Sequence, residues 1–312
     1  MLTTLKKILS PAERGGYAVG AFNVNNLEIL QAVIETAVEE RSPVIIQTSE
    51  GAIEYAGLDY LVAMVRLAAK SRVPVALHLD HGRDLKLVRQ AISAGYTSVM
   101  FDGSLLPYRR NVADTRRVVG WAHAKGVSVE AELGAIKGVE DLVSASERQA
   151  VFTDPEQARQ FVAETGCDAL AVSVGTAHGA HKFKGEAKLD IARLKRIDRL
   201  VRVPLVLHGA SEIDPEMVEM SKEYCERLGD CDRLKGAKGV PDGEIRRAIR
   251  SGIRKINIDS DLRLAFTVGL RQAVTEMTGE IDPRKLLGPA RSLMKATVRD
   301  RMRVFGCSGR AK

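Results

Sequence analysis

Residues 73–82, Val-Pro-Val-Ala-Leu-His-Leu-Asp-His-Gly, end a short apolar run on an acid and an imidazole set side by side. A run led in by Pro74 and closed by Gly82 reads as a buried strand, and charged groups do not end such a strand by default. Asp80 and His81 suit two roles that need different groups close together, a proton carrier and a metal ligand. One such pair also fits a capping Asp beside a half-buried His, so recurrence carries the weight. His178 and His208 likewise follow short apolar runs, at 169–174 and 204–207. Three imidazoles with one open position describe a catalytic zinc site, where the metal polarises a carbonyl or activates water. His78 precedes Asp80 by two, on the same strand face, and reads as an interior support.

Small residues accompany these histidines. Gly179 follows His178, and Gly209-Ala210-Ser211 follows His208, so backbone N–H groups and a hydroxyl can approach an anion closely. Asp259-Ser260 and Lys182 are placed to complete a phosphate site. Plain turn chemistry would explain the glycines by themselves.

The elements that position these groups alternate. Eight strand-like runs (18–22, 43–47, 73–82, 98–101, 127–133, 169–174, 204–207 and 255–258) are separated by helical periodicities, with no two strands in succession. That order implies a parallel sheet, and eight strands close it into a (β/α)8 TIM barrel, expected here as a single domain over 1–312. Nine polar residues then fall at or just beyond strand ends on one rim: Asn23, Ser49, Asp80, His81, Asp102, Glu132, His178, His208 and Asp259. Two segments stand outside the pattern, an insertion after strand 7 (212–239) with an extra helix at 215–228, and an additional C-terminal helix at 289–305. Residues 134–152 show neither a helical nor a strand period. A loop that long in a compact barrel is expected to be functional or unstructured.

Composition narrows the partners. The chain has 312 residues and a formal charge of +7, with aromatics at only 4%. Its densest basic run, Arg246, Arg247, Arg250 and Arg254, alternates with apolar residues as on an amphipathic helix face, and no aromatic interleaves with it. The excess fits phosphorylated metabolites better than nucleic acid. No run approaches the ~20 apolar residues that span a bilayer, and Met1 to Ser10 carry only a short, broken apolar pattern. The expectation is a cytoplasmic protein without a membrane partner. Cys167, Cys225, Cys231 and Cys307 lack paired metal spacing and read as free thiols.

Five motifs together resemble the class II, zinc-dependent fructose-bisphosphate aldolases, the group that also includes tagatose-bisphosphate aldolases. They are Leu77-His-Leu-Asp-His-Gly82, Val129-Glu-Ala-Glu-Leu-Gly134, Gly175-Thr-Ala-His-Gly179, Leu207-His-Gly-Ala-Ser211 and Lys255-Ile-Asn-Ile-Asp-Ser260. The resemblance runs in order over nearly the whole chain. It implies that His81, His178 and His208 hold zinc, that Asp102 and Glu132 line a second divalent position, and that Asp80 exchanges the C4 hydroxyl proton. It places Glu140 at the C3 proton of dihydroxyacetone phosphate. Gly179, Lys182, Gly209, Ala210, Ser211, Asp259 and Ser260 would surround the phosphate of that product, with Asn257 on its enediolate. Asn23 and Ser49 would lie near the aldehyde partner, and Arg284 at the distal phosphate, across a subunit interface. A monovalent cation (Na+ or K+) and a homodimer or homotetramer are further implications. Fructose 1,6-bisphosphate is the expected substrate, with its C4 epimer tagatose 1,6-bisphosphate as the rival.

Overall fold

The computed structural model describes residues 1–140, 143–145, 151–178, 188–228 and 238–311. In chain order the elements begin with α1 (Leu5–Gly15), β1 (Val19–Asn23), α2 (Leu27–Glu39), β2 (Val44–Thr48), α3 (Glu50–Ala56), α4 (Leu58–Ala68), β3 (Val75–Gly82), α5 (Leu85–Ala94), β4 (Ser98–Phe101), α6 (Tyr108–His123) and β5 (Ser128–Leu133). There follow β6 (Lys137–Glu140), β7 (Val143–Ala145), α7 (Pro155–Thr165), β8 (Ala169–Val172), β9 (Ala177–His178), α8 (Ile191–Leu200), β10 (Leu205–Leu207), α9 (Pro215–Leu228), α10 (Asp242–Ile249), β11 (Ile253–Ile258), α11 (Ser260–Glu276), α12 (Pro283–Leu286) and α13 (Gly288–Phe305).

Eight strands close the barrel in the order β1-β11-β10-β8-β5-β4-β3-β2, all parallel. Every residue of these strands is buried, as expected of a sheet lined inside by packed side chains and outside by helices. Several helices start on a side chain that satisfies an otherwise orphaned N–H: Asn26 caps α2, Asp84 caps α5, Asp154 caps α7 and Asp190 caps α8. The return chain from each helix therefore begins at a fixed point on the rim.

The terminal helix is structural in its lower half. Phe305 accepts a backbone hydrogen bond from Ala18, and Gly20 leaves room for the Phe22 ring, which a Cβ there would meet at 2.6 Å. Gly306, with φ of 74°, stops the helix in the left-handed conformation that favours glycine.

Three expectations need correction. The stretch 134–152 contains structure: β6 and β7 form an antiparallel hairpin, and β6 pairs in parallel with β9. Strands of three or four residues are too short for alternation to register in sequence. The connection after β2 holds two helices, not one, because Gly57 with φ of 85° breaks the periodicity between α3 and α4. Cys225 on α9 is disulfide-bonded rather than a free thiol, with its partner outside the described residues, whereas Cys167 and Cys307 are free and buried.

Candidate active site

The centre of the rim is built on β3. The β3–β4 register shifts between Leu79 and Gly82, and His81 takes φ of 47°, a conformation costly for a residue with a side chain. Such strain persists where surrounding contacts hold it and concentrates at functional positions. Its effect is that Asp80 and His81 both reach the rim.

Asp80 is buried and fixed by three amides. Oδ2 accepts from Asn23 Nδ2 at 2.9 Å and from Gln47 Nε2 at 3.0 Å, while Oδ1 accepts from Asn257 Nδ2 at 3.0 Å. Gln47 also donates to Asn23 Oδ1 at 2.6 Å. The carboxylate thus has one orientation, set by β1, β2 and β11 together.

The two described histidines share one design. His81 Nδ1 lies 3.1 Å from Asp102 Oδ2, and His208 Nε2 lies 2.8 Å from Glu130 Oε1. Their remaining nitrogens, His81 Nε2 and His208 Nδ1, face each other at 2.9 Å. An imidazole anchored by a carboxylate on one nitrogen and converging through the other is the usual arrangement around a metal ion. Donor atoms of Asp80, His81 and His208 lie within 4.8 Å of one another, as do those of His81, Asp102 and Glu132.

Electrostatics favour a cation at this point. Burial would lower the pKa of His81, but the carboxylates of Asp80, Asp102 and Glu132 outweigh it and push it up to about 10. A site that draws a proton so strongly draws a divalent cation for the same reason. Glu132 is raised well above the carboxylate range, first by burial and then by the Asp102 charge. Burial holds His208 below its ordinary value, against the hydrogen bond it donates to Glu130. His78 is pushed down to about 3 by burial and by Lys255, and its Nδ1 lies 2.9 Å from Ser98 Oγ, consistent with an interior support.

The described phosphate-site candidates follow β10 and β11. Gly209 adopts φ of 61° so close to Ala177 that a Cβ would stand 2.5 Å from its carbonyl oxygen. Ala210 and Ser211 are buried beside it. Asp259 and Ser260 follow β11 at the start of α11, where Asp259 Oδ1 accepts from Arg263 Nε at 2.8 Å. Ser49 closes β2 and caps α3 through its hydroxyl. Gly179 and Lys182 lie outside the described residues, as do the side chains of His178 and Glu140, whose backbones belong to β9 and β6.

Arg284 sits on α12, exposed and paired with Asp282 at 2.7 Å. The 17-residue α11, which spans about 25 Å along its axis, lies between it and Asp259 in the chain.

Three participants were not assigned a role from sequence: Gln47, Glu130 and Lys255. Each is a polar residue within a fully buried barrel strand, and that placement was the available signal. Lys255 is fully buried, with Nζ 2.9 Å from Glu130 Oε2.

A closed parallel barrel with a carboxylate and converging histidines at the C-terminal ends of its strands defines a barrel enzyme of the metal-handling class. Over residues 3–310 the chain matches the family model for class-II fructose-bisphosphate aldolase. It is 49% identical to the fructose-bisphosphate aldolase of Thermus caldophilus, over 100% of both chains. It is 46% identical to that of Helicobacter pylori, over 99% of this chain and 100% of the relative. Among solved structures it resembles the YdjI aldolase from Escherichia coli K12, with a TM-score of 0.80, 33% identity and 100% of both chains covered. The fold also matches the Campylobacter jejuni fructose-bisphosphate aldolase, with a TM-score of 0.75 at 24% identity over 98% of this chain and 96% of that one. The chain belongs to the class-II fructose-bisphosphate aldolase family. This family is zinc-dependent, and its members are carbon–carbon lyases acting on a phosphorylated sugar. Among the described residues no helix is long and apolar enough to cross a membrane.

Proposed function

We propose that this chain catalyses the reversible cleavage of fructose 1,6-bisphosphate to dihydroxyacetone phosphate and glyceraldehyde 3-phosphate. The observation that carries the reading is the Asp80 carboxylate, locked by Asn23, Gln47 and Asn257 beside the converging nitrogens of His81 and His208. Full-length relatives at 42–49% identity that bear the fructose-bisphosphate name support the fructose configuration over tagatose.

Asp80 accepts the C4 hydroxyl proton as the C3–C4 bond breaks, and the electron pair of that bond stays on C3. Asn257 directs an amide N–H toward the oxygen on which that charge develops, a donor fixed before the reaction begins. Glu140, at the end of β6, then delivers a proton to C3. Gly209, Ala210, Ser211, Asp259 and Ser260, with Gly179 and Lys182, hold the phosphate of the dihydroxyacetone half. Asn23 and Ser49 orient the aldehyde half. His81, His178 and His208 would hold zinc, which would supply Lewis-acid stabilisation of negative charge on the substrate oxygens. Asp102 and Glu132 would line a second divalent position, and a monovalent cation would be a further requirement. The protein assembles as a homodimer or homotetramer, which is what allows Arg284 to serve a distal phosphate of the neighbouring subunit. The cytoplasm, where phosphorylated sugars are handled, is its compartment.

A coupled cleavage assay on fructose and tagatose 1,6-bisphosphates, with and without chelator, tests the reading. Rapid, chelator-sensitive cleavage of the fructose isomer is expected. Activity that survives complete metal removal, or that is confined to the tagatose isomer, would refute it.

A further inference from the structure

The loop after β10 carries a strain that the barrel itself does not explain. Gly209 adopts φ of 61° without cost, but Ile213 adopts φ of 56°, and for a β-branched residue that is a true outlier which persists only where neighbours hold it. The holding contacts come from α11, from the segment before α10 and from the terminal helix. The Asp261 carboxylate accepts the N–H groups of Glu212 at 3.2 Å and Ile213 at 2.8 Å. Arg301, on α13 and only 3% exposed, donates from Nη2 to Glu212 Oε2 at 2.5 Å and from Nη1 to Asp242 Oδ1 at 2.8 Å, and also pairs with Asp300. The returning chain closes over the same point. Val240 N–H donates to the Ser211 carbonyl at 3.0 Å, and Gly239 passes so near that a Cβ would stand 2.1 Å from the Glu212 carbonyl oxygen.

We propose that Arg301 is a positioning residue for the phosphate-binding loop 209–213, acting through Glu212. This rests on the reading above that Gly209, Ala210 and Ser211 hold a substrate phosphate. A buried guanidinium ringed by Glu212, Asp242 and Asp300 is weak evidence for stability, because desolvation offsets much of the attraction. What it does achieve is one geometry. Its planar fork satisfies two carboxylates from different segments at fixed angles, and so ties the residue next to Ser211 to the terminal helix. Asp261, adjacent to Ser260, fastens the same loop to the start of α11. The two arms of the phosphate cradle, after β10 and after β11, are thereby held at a fixed separation by groups that do not contact substrate.

The test uses the zinc-loaded full chain and four forms: wild type, Arg301→Lys, Arg301→Met, and Arg301→Met combined with Glu212→Gln. Steady-state kinetics on fructose 1,6-bisphosphate and competitive inhibition by inorganic phosphate are read together with zinc content. Arg301→Met should raise KM and the phosphate inhibition constant at least about tenfold while kcat and zinc stay within about twofold, the pattern of lost uniform binding. Arg301→Lys should recover part of the loss. The double variant removes the Glu212 charge that Arg301→Met alone would strand, while Asp242 keeps Arg246 at 3.5 Å and Asp300 reaches solvent, so it should fold and still bind phosphate weakly. A folded Met form with wild-type KM and phosphate affinity overturns the proposal, as does a fall in kcat at unchanged KM. If wild type itself neither cleaves the substrate nor is inhibited by phosphate, the functional reading fails along with it, and that result is distinct from a clamp that fails in an active enzyme.

Discussion

Lys255 fixes the amide of Asn257: its Nζ lies 2.7 Å from Asn257 Oδ1, and because an ammonium only donates, the amide nitrogen must turn toward Asp80, 3.0 Å away. The same ammonium pairs with Glu130, which Lys255 and His208 hold well below the usual carboxylate range against the opposing effect of burial. Lys255→Met strands Glu130 as a buried charge and should cost about 3–5 kcal/mol of stability. Adding Glu130→Gln should restore much of it but weaken zinc binding about 10- to 100-fold, since Glu130 anchors His208. Chemical denaturation and metal analysis of both variants check this. Equal stability of wild type and the single variant would show that the ion pair is dispensable.

Metal dependence is predicted from the paired histidine design. Chelation should abolish cleavage, and zinc or cobalt should restore it, while borohydride should trap no covalent adduct because no lysine Schiff base is involved. His208→Ala should lose metal as well as activity. A metal-free preparation with full turnover would point to different chemistry.

Asp80→Ala should lower kcat by at least ~10²-fold, a typical acid/base contribution, at unchanged zinc content. The three amides that hold Asp80 make a milder prediction available. Gln47→Leu should reduce kcat while leaving metal content alone. If Gln47→Leu instead raises only KM, Gln47 serves binding rather than the orientation of Asp80.

Glu212 is raised to about 6, chiefly by burial, with Arg301 pulling it down and Asp242, Asp261 and Asp300 pushing it up. Its folded value therefore exceeds its ordinary 4.5, so the folded chain holds the proton more tightly than the unfolded one. The contribution to stability is present below about 4.5, declines as pH rises through 6, and is constant above. Unfolding free energies of wild type and Glu212→Gln, measured from pH 4.5 to 8, should differ by a curve of that sign. A flat difference would mean that Glu212 has an ordinary carboxylate pKa.

Arg284→Ala should weaken fructose 1,6-bisphosphate far more than fructose 1-phosphate, if the distal phosphate is its target. On the proposed homodimer or homotetramer the exposed Arg284 acts on the neighbouring subunit, so the effect should be lost in dissociated protein. Sedimentation of the same samples supplies that control. Equal losses on both substrates would remove Arg284 from the site.

Legibility followed physical origin. The barrel could be read because each of its strands is an apolar run bracketed by Gly, Pro or polar residues, and the rim because polar groups at buried strand ends are conspicuous. Asp80, His81 and His208 were recognisable on these grounds. The anchors beneath them were harder to see: the contacts of Gln47 with Asp80 and of Glu130 with His208 and Lys255 cross between strands far apart in the chain, and only the closed barrel brings them together. The β6–β7 hairpin escaped because so few residues carry no period. The strain at Ile213 was invisible because nothing in Ser-Glu-Ile-Asp signals a left-handed residue. The disulfide of Cys225 was not legible because the cysteines show no paired spacing that would separate a bonded thiol from a free one.

The three-stranded sheet β7-β6-β9 joins Lys137 to Ala177 and Gly138 to His178 in register. Glu140 and His178 thus ride on adjacent strands of one small platform outside the barrel. If Glu140 and His178 have the roles proposed for them, a displacement of β6 that moved the acid would drag the histidine's strand with it through shared main-chain hydrogen bonds. On those roles proton delivery and metal grip are mechanically geared: an insertion or cross-link in the hairpin should register as altered metal affinity, at a distance, before any side chain of the centre had been touched.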